Sequence, residues 1–317
     1  MEEHISVLKE EAINFLNVKD GGIYVDATLG FAGHAREVLK RNKKGFLFAF
    51  DKDILACDKA EARLKEIGNN FKIFHKANKD LKETLAQEGV FKVDGVLFDL
   101  GLSSMEIDNK ERGFSYMQDA PLDMRMDTTA TLTAYTVVNT YSKEDLIRIF
   151  RNYGEEEYAG RIANNIVKER SIKPIATTLQ LVKIIDYSIP FNKRRGHKAK
   201  KVFQALRIEV NHELEEFEKA LNDAISMLNV GGVVCVITFH SLEDRICKQI
   251  MRKMTTVDEV VKGLPNVPCN LLPDFELVNK KPILPSDLEI KRNKRAASAK
   301  LRAIRRVKEG GKHEQEN

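Results

Sequence analysis

Apolar and polar positions alternate in blocks along the first third of the chain. Apolar runs occur at residues 23–27, 46–50, 71–74 and 95–100, and charged segments with helical spacing lie between them. Short apolar runs that alternate with amphipathic helical segments are typical of a parallel sheet with crossover helices. The pattern therefore predicts an α/β fold in which these four runs are strands of one sheet.

Acidic residues stand at the ends of three of these runs, namely Asp26, Asp51 and Asp99. Ligands of open α/β sheets bind beyond the carboxyl ends of the strands, so we expect the three carboxylates on one rim. A glycine turn with Gly30 and Gly33 follows Asp26, and such a turn lets backbone approach a ligand closely. A carboxylate there would repel a pyrophosphate and suits a ligand with cationic groups, such as the sulfonium and ammonium of S-adenosylmethionine (SAM). Asp51 lies near the offset expected for a ribose-binding carboxylate.

Two other enzyme classes are disfavoured by the same residues. A nicotinamide dehydrogenase requires a complete G-x-G-x-x-G turn, and only Gly30 and Gly33 are present beside the opposing Asp26. A hydrolase could be suspected from the adjacent His240 and Ser241, but no G-x-S-x-G nucleophile turn occurs. The pattern favours a SAM site over both.

The strand–helix alternation stops after about residue 106. An irregular stretch, 107–127, precedes helical patterns with a capping-box sequence at Ser142–Asp145 and another at Thr177–Gln180. Apolar residues from Leu206 to Leu228 then recur every three or four positions, which predicts one long amphipathic helix. Strand character returns at 231–239, and we expect the last sixty residues to be mostly loops and sheet edge. The predicted domains are residues 1–106 and 209–317, which share one sheet, and an inserted helical substrate-recognition domain at 107–208.

Basic residues concentrate in two segments of a chain whose net charge is +5. Residues 193–201 contain six Lys or Arg, and residues 291–308 contain nine; neither segment contains an acid, so the remaining chain is acidic. Two such segments are typical of a protein that contacts nucleic-acid phosphates. A solvated loop and a solvated C-terminal tail are the alternative interpretation.

Cysteine spacing and hydropathy indicate the cellular setting. The four cysteines form no CxxC pair, the acidic N-terminus does not resemble a signal peptide, and no apolar run is long enough to span a membrane. We therefore predict a cytoplasmic protein with reduced thiols, no membrane association and no bound metal. The sequence leaves the oligomeric state open, with a homodimer as one option.

Several long motifs resemble those of the bacterial MraW/RsmH-type methyltransferases. They are the segments 112–127 (RGFSYMQDAPLDMRMD), 203–211 (FQALRIEVN) and 239–245 (FHSLEDR), together with 4–8, the 26–34 turn and 298–302. The matches cover nearly the whole chain in the family's order. The resemblance implies an enzyme that methylates the exocyclic N4 of a cytidine in 16S ribosomal RNA, at the decoding centre of the small subunit. It also implies a class I SAM-dependent methyltransferase sheet, which is Rossmann-like, with an inserted all-helical domain.

The resemblance also places the cofactor contacts, and three positions depart from the family's pattern. Carried over by position, the contacts are Ala32, Gly33, His34, Asp51, Asn78, Asp99 and Glu106. The family usually has Phe at the position of Asn78. The absence of that ring in this chain removes a stacking face for adenine. The family usually has Gln in place of Glu106, and the carboxylate keeps an acceptor but loses the amide donor. Ala297 stands where an Arg that could contact RNA is common.

The roles of the remaining candidate residues stay open at this point. Asp99 is either a cofactor contact or the direct partner of the reacting amine. His240 is either a hydrogen-bonding group for the substrate or a helix cap, and residues 123–127 either line the target pocket or form structural ion pairs. Arg194, Arg195 and Lys198, with the 291–308 segment, are the candidates for RNA-backbone contacts. The target base must be unpaired or flipped, because a paired amine is inaccessible. A non-catalytic RNA-binding ribosome assembly factor is the alternative function.

Overall fold

The computed structural model describes residues 6–102, 109–190, 196–257, 268 and 271–309. The strands are β1 (Ile23–Asp26), β2 (Phe46–Asp51), β3 (Phe71–His75), β4 (Val93–Asp99), β5 (Leu228–Thr238), β6 (Phe275–Leu277) and β7 (Lys300–Arg306). The helices are α1 (Lys9–Leu16), α2 (Gly33–Arg41), α3 (Ile54–Lys65), α4 (Leu81–Gln87), α5 (Ala134–Thr140), α6 (Lys143–Asn152), α7 (Ala159–Arg170), α8 (Thr178–Ser188), α9 (Lys200–Asn211), α10 (Glu213–Ser226), α11 (Ser241–Thr255) and α12 (Asp287–Arg292). No helix in these ranges is long and apolar enough to cross a membrane.

The strands form one sheet with the order β3-β2-β1-β4-β5-β7-β6. Neighbouring strands from β3 to β5 pair in parallel, and β7 pairs antiparallel with both β5 and β6. The four predicted apolar runs coincide with β1 to β4 within two residues. The prediction of an α/β fold built on one sheet is confirmed.

Both faces of this sheet are covered by apolar side chains. Successive strand residues belong to different core clusters: Tyr24 and Leu47 pack on one face, and Val25 and Phe48 pack on the other. Strands that are buried on both sides read as continuous apolar runs, which is why β2 has the sequence Phe-Leu-Phe-Ala-Phe before Asp51. The rigid sheet fixes where its carboxyl-end residues stand.

The C-terminal segment differs from the loops and edge expected from the sequence. β7 lies inside the sheet between β5 and β6, and its Leu301, Ala303 and Ile304 are fully buried. The basic residues alternate with these apolar ones and take structural roles. Arg302 pairs with Asp244 at 2.7 Å, and the buried Arg306 donates to the carbonyl of Leu228. The interpretation of 291–308 as a solvated tail is therefore wrong for residues 300–306.

Chain contacts divide the structure into two compact units, one of residues 1–101 and 215–317 and one of residues 102–214. The second unit contains α5 to α9 and has its own core. Its helices begin where the capping patterns predict: Ser142 accepts from the backbone N–H of Asp145, and Thr177 forms a reciprocal capping box with Gln180. The role of this unit in substrate recognition stays a prediction.

The long helix predicted from Leu206 to Leu228 is wrong. α9 ends at Asn211, His212 has a left-handed backbone (φ 51°), and α10 starts at Glu213, whereas Leu228 opens β5. The break is stabilised by Asn211, whose amide donates to the carbonyl of Met124 and accepts from the N–H of Met126. These bonds link residues about 85 positions apart, so helical periodicity alone could not reveal them.

A glycine in the 112–127 motif has a conformation that other residues rarely adopt. Gly113 has φ +70°, and a Cβ there would clash with the carbonyl oxygen of Pro121 and lie 3.1 Å from the nitrogen of Asp123. We expect Gly113→Ala to destabilise the protein by about 1–3 kcal/mol. Gly160→Ala, on α7 with open space around the new methyl group, is the matched control. Urea unfolding of both variants tests this, and equal stabilities would contradict it.

Candidate functional site

Three carboxylates meet at the carboxyl edge of the sheet, where the strand order reverses. Asp26 ends β1 and is paired with Ala49 on β2 and with Leu97 on β4. Asp51 and Asp99 lie two residues beyond these partners, so they flank Asp26 on either side. This is the edge at which ligands of open α/β sheets bind.

The glycine turn between β1 and α2 folds against this edge. Gly30 (φ +48°) and Ala32 (φ +58°) both have left-handed backbones, and α2 begins at Gly33. The N–H of Gly30 donates to Asp51 Oδ2 at 2.7 Å, which links the turn to the end of β2. A Cβ on Gly33 would clash with Ser6 Oγ, so a larger residue there would require the Ser6 side chain to move. Ala32 is not a glycine, so its left-handed backbone is strained, and such strain often marks a functional site.

Asp51 is held by two backbone donors. Its Oδ2 accepts from Gly30 and its Oδ1 accepts from the N–H of Asp53 at 2.9 Å. Burial raises the pKa of this carboxyl despite these two bonds. Each carboxylate oxygen has two lone pairs, so both can accept one more hydrogen bond, as the two hydroxyls of a ribose would require.

Asp99 has a buried carboxyl oxygen that is not satisfied by the protein. Its Oδ1 has no hydrogen-bond partner among the described residues, and its backbone N–H donates to Thr28 Oγ1 at 2.6 Å. Burial first, and then the charges of Asp26 and Glu243, raise the pKa of Asp99 well above its usual range. A buried acceptor without a partner is rare in proteins and is expected where a ligand supplies the missing donor.

His34 lies next to Asp99 at the start of α2. The His34 ring is buried, its Nε2 donates to the carbonyl of Val7 at 3.1 Å, and its Nδ1 lies 3.5 Å from Asp99 Oδ2. With Nε2 as donor, a neutral ring presents an acceptor at Nδ1. The Nδ1 side of the ring therefore faces the Asp99 carboxyl group.

Asn78 presents a second unsatisfied acceptor. It begins a short 3₁₀ turn, Asn78–Asp80, after β3, and its Oδ1 is buried without a hydrogen-bond partner in the described part of the chain. An amide acceptor here can bind a donor such as the exocyclic amine of adenine. This position therefore offers a hydrogen bond where the family usually has an aromatic ring.

His240 is placed as a helix cap. It is the N-cap of α11, its Nδ1 accepts from the N–H of Glu243, and the Glu243 carboxylate accepts from the backbone N–H of Phe239 and of His240. The buried Glu243 in turn faces Asp99 closely enough to raise the pKa of that carboxyl group. The capping role is observed, and contact of His240 with a substrate stays a prediction.

The other predicted site residues lie in the second unit or outside the described ranges. Lys198 donates from Nζ to the carbonyls of Asp186 and Ile189, at the carboxyl end of α8. Glu106, Arg194 and Arg195 lie outside the described residues. Within the 112–127 motif, Asp123 and Arg125 form a two-bond ion pair at 2.7 Å, and Arg125 also binds the carbonyls of 128 and 130. That pair therefore stabilises its own loop.

Two residues that the sequence did not single out support the site. Thr28 fixes the end of β4 by accepting from the N–H of Asp99. The buried Glu216 on α10 pairs with Lys52, which follows Asp51, and with Lys79 at 3.0 Å, which follows Asn78. One carboxylate thus holds the two loops that carry candidate cofactor residues, and no local pattern predicts such a contact.

We expect Glu216→Gln to weaken SAM binding by about 3- to 10-fold, because an uncharged amide loosens both lysine-bearing loops. Glu218→Gln, which changes an exposed residue two positions along α10, is the matched control. Calorimetric titration with SAM measures both variants. Unchanged affinity in Glu216→Gln would show that the two loops keep their positions without this ion pair.

Asp26 should make the stability of the ligand-free protein depend on pH. Burial raises its pKa to about 7, with a smaller contribution from the charge of Asp51. Between pH 4 and 7 the folded state therefore keeps a proton that the unfolded chain has lost, so stability falls as pH rises through this window. We expect the melting temperature of Asp26→Asn, relative to wild type, to be higher at pH 8 than at pH 5. Asp20→Asn is the control, because the pKa of the Asp20 carboxyl is lowered; its melting temperature relative to wild type should be the same at pH 5 and pH 8. The same difference at both pH values for Asp26→Asn would contradict the prediction.

The residues at this edge fit SAM. Its two cationic groups suit the carboxylates of Asp26 and Asp99, and its ribose and adenine offer donors to Asp51 and to the unsatisfied oxygen of Asn78. A dinucleotide would bring two phosphates to the same acids. Among the described residues, no group of three or more His, Cys, Asp or Glu could hold a metal ion.

Comparison with known proteins places the chain in a family. A model of the MraW methylase family matches residues 1–307. A protein of Streptococcus mutans serotype c, named ribosomal RNA small subunit methyltransferase H, is 50% identical over 310 residues, which cover 96% of this chain and 98% of that protein. One of the same name from Exiguobacterium sibiricum is 50% identical over 311 residues, which cover 98% of this chain and 100% of that protein. The crystal structure of an rRNA methylase from Streptococcus thermophilus aligns over 97% of this chain and 99% of that chain. The two chains are 12% identical and the TM-score is 0.44, so we draw no conclusion from this similarity. The match over nearly the whole chain shows that this protein belongs to the MraW methylase family.

Proposed function

We propose that this protein transfers the methyl group of SAM to the exocyclic N4 of a cytidine in 16S ribosomal RNA, at the decoding centre of the small subunit. The observation that carries the proposal is the buried, unsatisfied Oδ1 of Asp99 among carboxylates at the ligand-binding edge. The names of the two relatives support ribosomal RNA of the small subunit as the substrate. The motif resemblance supports the cytidine amine.

The cofactor is proposed to lie along the carboxyl edge from β3 to β4. Ala32, Gly33 and His34 would approach it from the glycine turn, and Asp51 would accept from its ribose hydroxyls. Asn78 would supply an acceptor to the adenine, and Glu106 is proposed as a cofactor contact from the motif resemblance alone. When bound, SAM supplies an electrophilic methyl group next to a positively charged sulfur.

Asp99 has the properties needed to activate a poor nucleophile. The lone pair of an exocyclic amine is delocalised into the base, so the amine needs an acceptor for its N–H groups and a fixed orientation. The unsatisfied Oδ1 can accept such an N–H, and the raised pKa allows the carboxyl group to take up the proton that leaves the nitrogen. The same oxygen could instead face the cofactor, which is the second role considered for Asp99.

RNA is proposed to bind with its target base unpaired, through basic residues outside the sheet edge. Arg194, Arg195, Lys198 and the basic residues at 291–295 are the candidates for phosphate contacts, with His240 next to the end of β5 as a candidate for a base contact. Phosphate contacts make binding strongly dependent on salt. The proposed ribosomal RNA substrate favours the cytoplasm as the site of action.

Mapping of the modified nucleotide tests the proposed function. Purified protein and labelled SAM would be incubated with small subunits that lack the modification, and the 16S RNA analysed by nuclease digestion and mass spectrometry. We expect one N4-methylated cytidine at the decoding centre. SAM binding without any transfer would favour the assembly-factor alternative, and methylation of another atom or RNA would refute the proposed specificity.

A further inference from the structure

An exposed imidazole in the second unit lies on an aromatic stack. The His197 ring packs face to face on Tyr116, with centroids 4.4 Å apart and planes inclined by 26°. Tyr116 meets Phe203 edge-on at 5.6 Å, and Phe203 belongs to the buried core of this unit. His197 itself is exposed. One face of the imidazole is thus supported by the core, and the other is turned away from Tyr116.

The orientation of the His197 ring is fixed before any ligand binds. Its Nδ1 accepts from the backbone N–H of Ala199 at 3.2 Å, which places the proton of the neutral ring on Nε2. A surface ring that is held by a stack and a hydrogen bond loses little freedom when a ligand covers it. Nε2 remains a hydrogen-bond donor at the rim of the stack.

The charge around His197 favours an anionic ligand. Lys200 and Lys201 follow three and four residues later, and both are exposed. Lys201 donates to the backbone carbonyl of Glu155, and neither lysine forms an ion pair with a carboxylate of a described residue. A flat ring with a free face, a donor at its edge and nearby cations matches a nucleotide, because unpaired bases stack on aromatic and histidine rings while phosphates attract lysine.

We propose that His197, supported by Tyr116, is a stacking platform for an unpaired nucleobase of the RNA substrate, separate from the methylated base. This inference rests on the proposed function, since it requires an RNA substrate. The platform holds the strand and takes no part in methyl transfer. It therefore affects the affinity for RNA and leaves the chemistry and the binding of SAM unchanged.

Steady-state kinetics on small subunits that lack the modification tests this proposal. We expect His197→Ala and Tyr116→Leu to raise the KM for subunits by about 5- to 100-fold, the usual effect of losing one stacked base. The kcat at saturating subunits should stay within about twofold, and the dissociation constant for SAM should not change. His197→Phe keeps a flat ring and should restore most of the affinity.

Tyr187→Leu is the matched control, because Tyr187 is a half-exposed aromatic residue of the same unit that contacts Glu169 through its hydroxyl. Circular dichroism of each variant checks that the unit is folded. A wild-type KM in folded His197→Ala would overturn the stacking platform, and so would failure of His197→Phe to rescue. If the wild-type protein does not methylate subunits at all, the proposed function fails instead, so the two failures are distinguishable.

Discussion

Asp51→Ala is expected to weaken SAM binding by about 100-fold. The carboxylate is proposed to accept from two ribose hydroxyls. A hydrogen bond to a charged group contributes about 1.5–3 kcal/mol, and each 1.4 kcal/mol is about tenfold in affinity. The substitution also frees the N–H of Gly30, which Asp51 holds at 2.7 Å, so the turn loses its link to β2. Isothermal titration calorimetry at pH 7.5 measures the effect.

Two further variants separate cofactor contact from a general loss of structure. Asp51→Asn keeps one acceptor oxygen and should lie between wild type and Asp51→Ala. Asp53→Asn changes a neighbouring carboxylate that caps α3 by accepting from Leu55, and Asn caps helices equally well, so it should bind SAM normally. Wild-type affinity in a folded Asp51→Ala protein would exclude this residue from the cofactor site.

Asp99→Asn is expected to reduce the rate of methyl transfer by about 10²- to 10⁴-fold, the range for loss of a group that takes up a proton. An amide oxygen can still accept one hydrogen bond, but an amide cannot take the proton from the reacting nitrogen. If Asp99 is the amine's partner, kcat falls and the KM for SAM changes little. Single-turnover kinetics with saturating SAM and subunits measures this rate.

The same experiment distinguishes the two roles considered for Asp99. If Asp99 only contacts the cofactor, the KM for SAM rises and kcat is retained. Asp94→Asn is a control on the same strand, because the Asp94 carboxylate accepts from the N–H of Ile23 and from Asn229 at the opposite end of β4. It should lower stability without changing kcat. An Asp99→Ala enzyme with normal rate and normal KM would remove Asp99 from both roles.

The sheet and its acidic rim could be predicted from sequence because their signals are local. An apolar run followed by an acid marks both the strand and the residue at its carboxyl end, and parallel pairing then brings Asp26, Asp51 and Asp99 together. The N-cap of α6 and the capping box of α8 could be predicted for the same reason, since the side chain and its backbone partner lie three residues apart.

The errors have long-range causes. The spacing of apolar residues continues through His212, and only the contacts of Asn211 with residues 124 and 126 show why the helix stops. Composition alone predicts a basic tail at 291–308 because Lys and Arg dominate that segment, although Leu301, Ala303 and Ile304 of β7 are buried. Glu216 joins two loops through Lys52 and Lys79, which lie more than 130 positions away in the sequence. No sequence pattern near Glu216 indicates these contacts.

The most direct test of the account is a crystal structure of the protein grown with SAM. The acidic edge of the sheet should hold the cofactor, with the ribose hydroxyls on the Asp51 carboxylate and a ligand group within hydrogen-bonding distance of Asp99 Oδ1 or Asn78 Oδ1. A structure in which SAM occupies another surface, or in which this edge accepts a dinucleotide and excludes SAM, would contradict it.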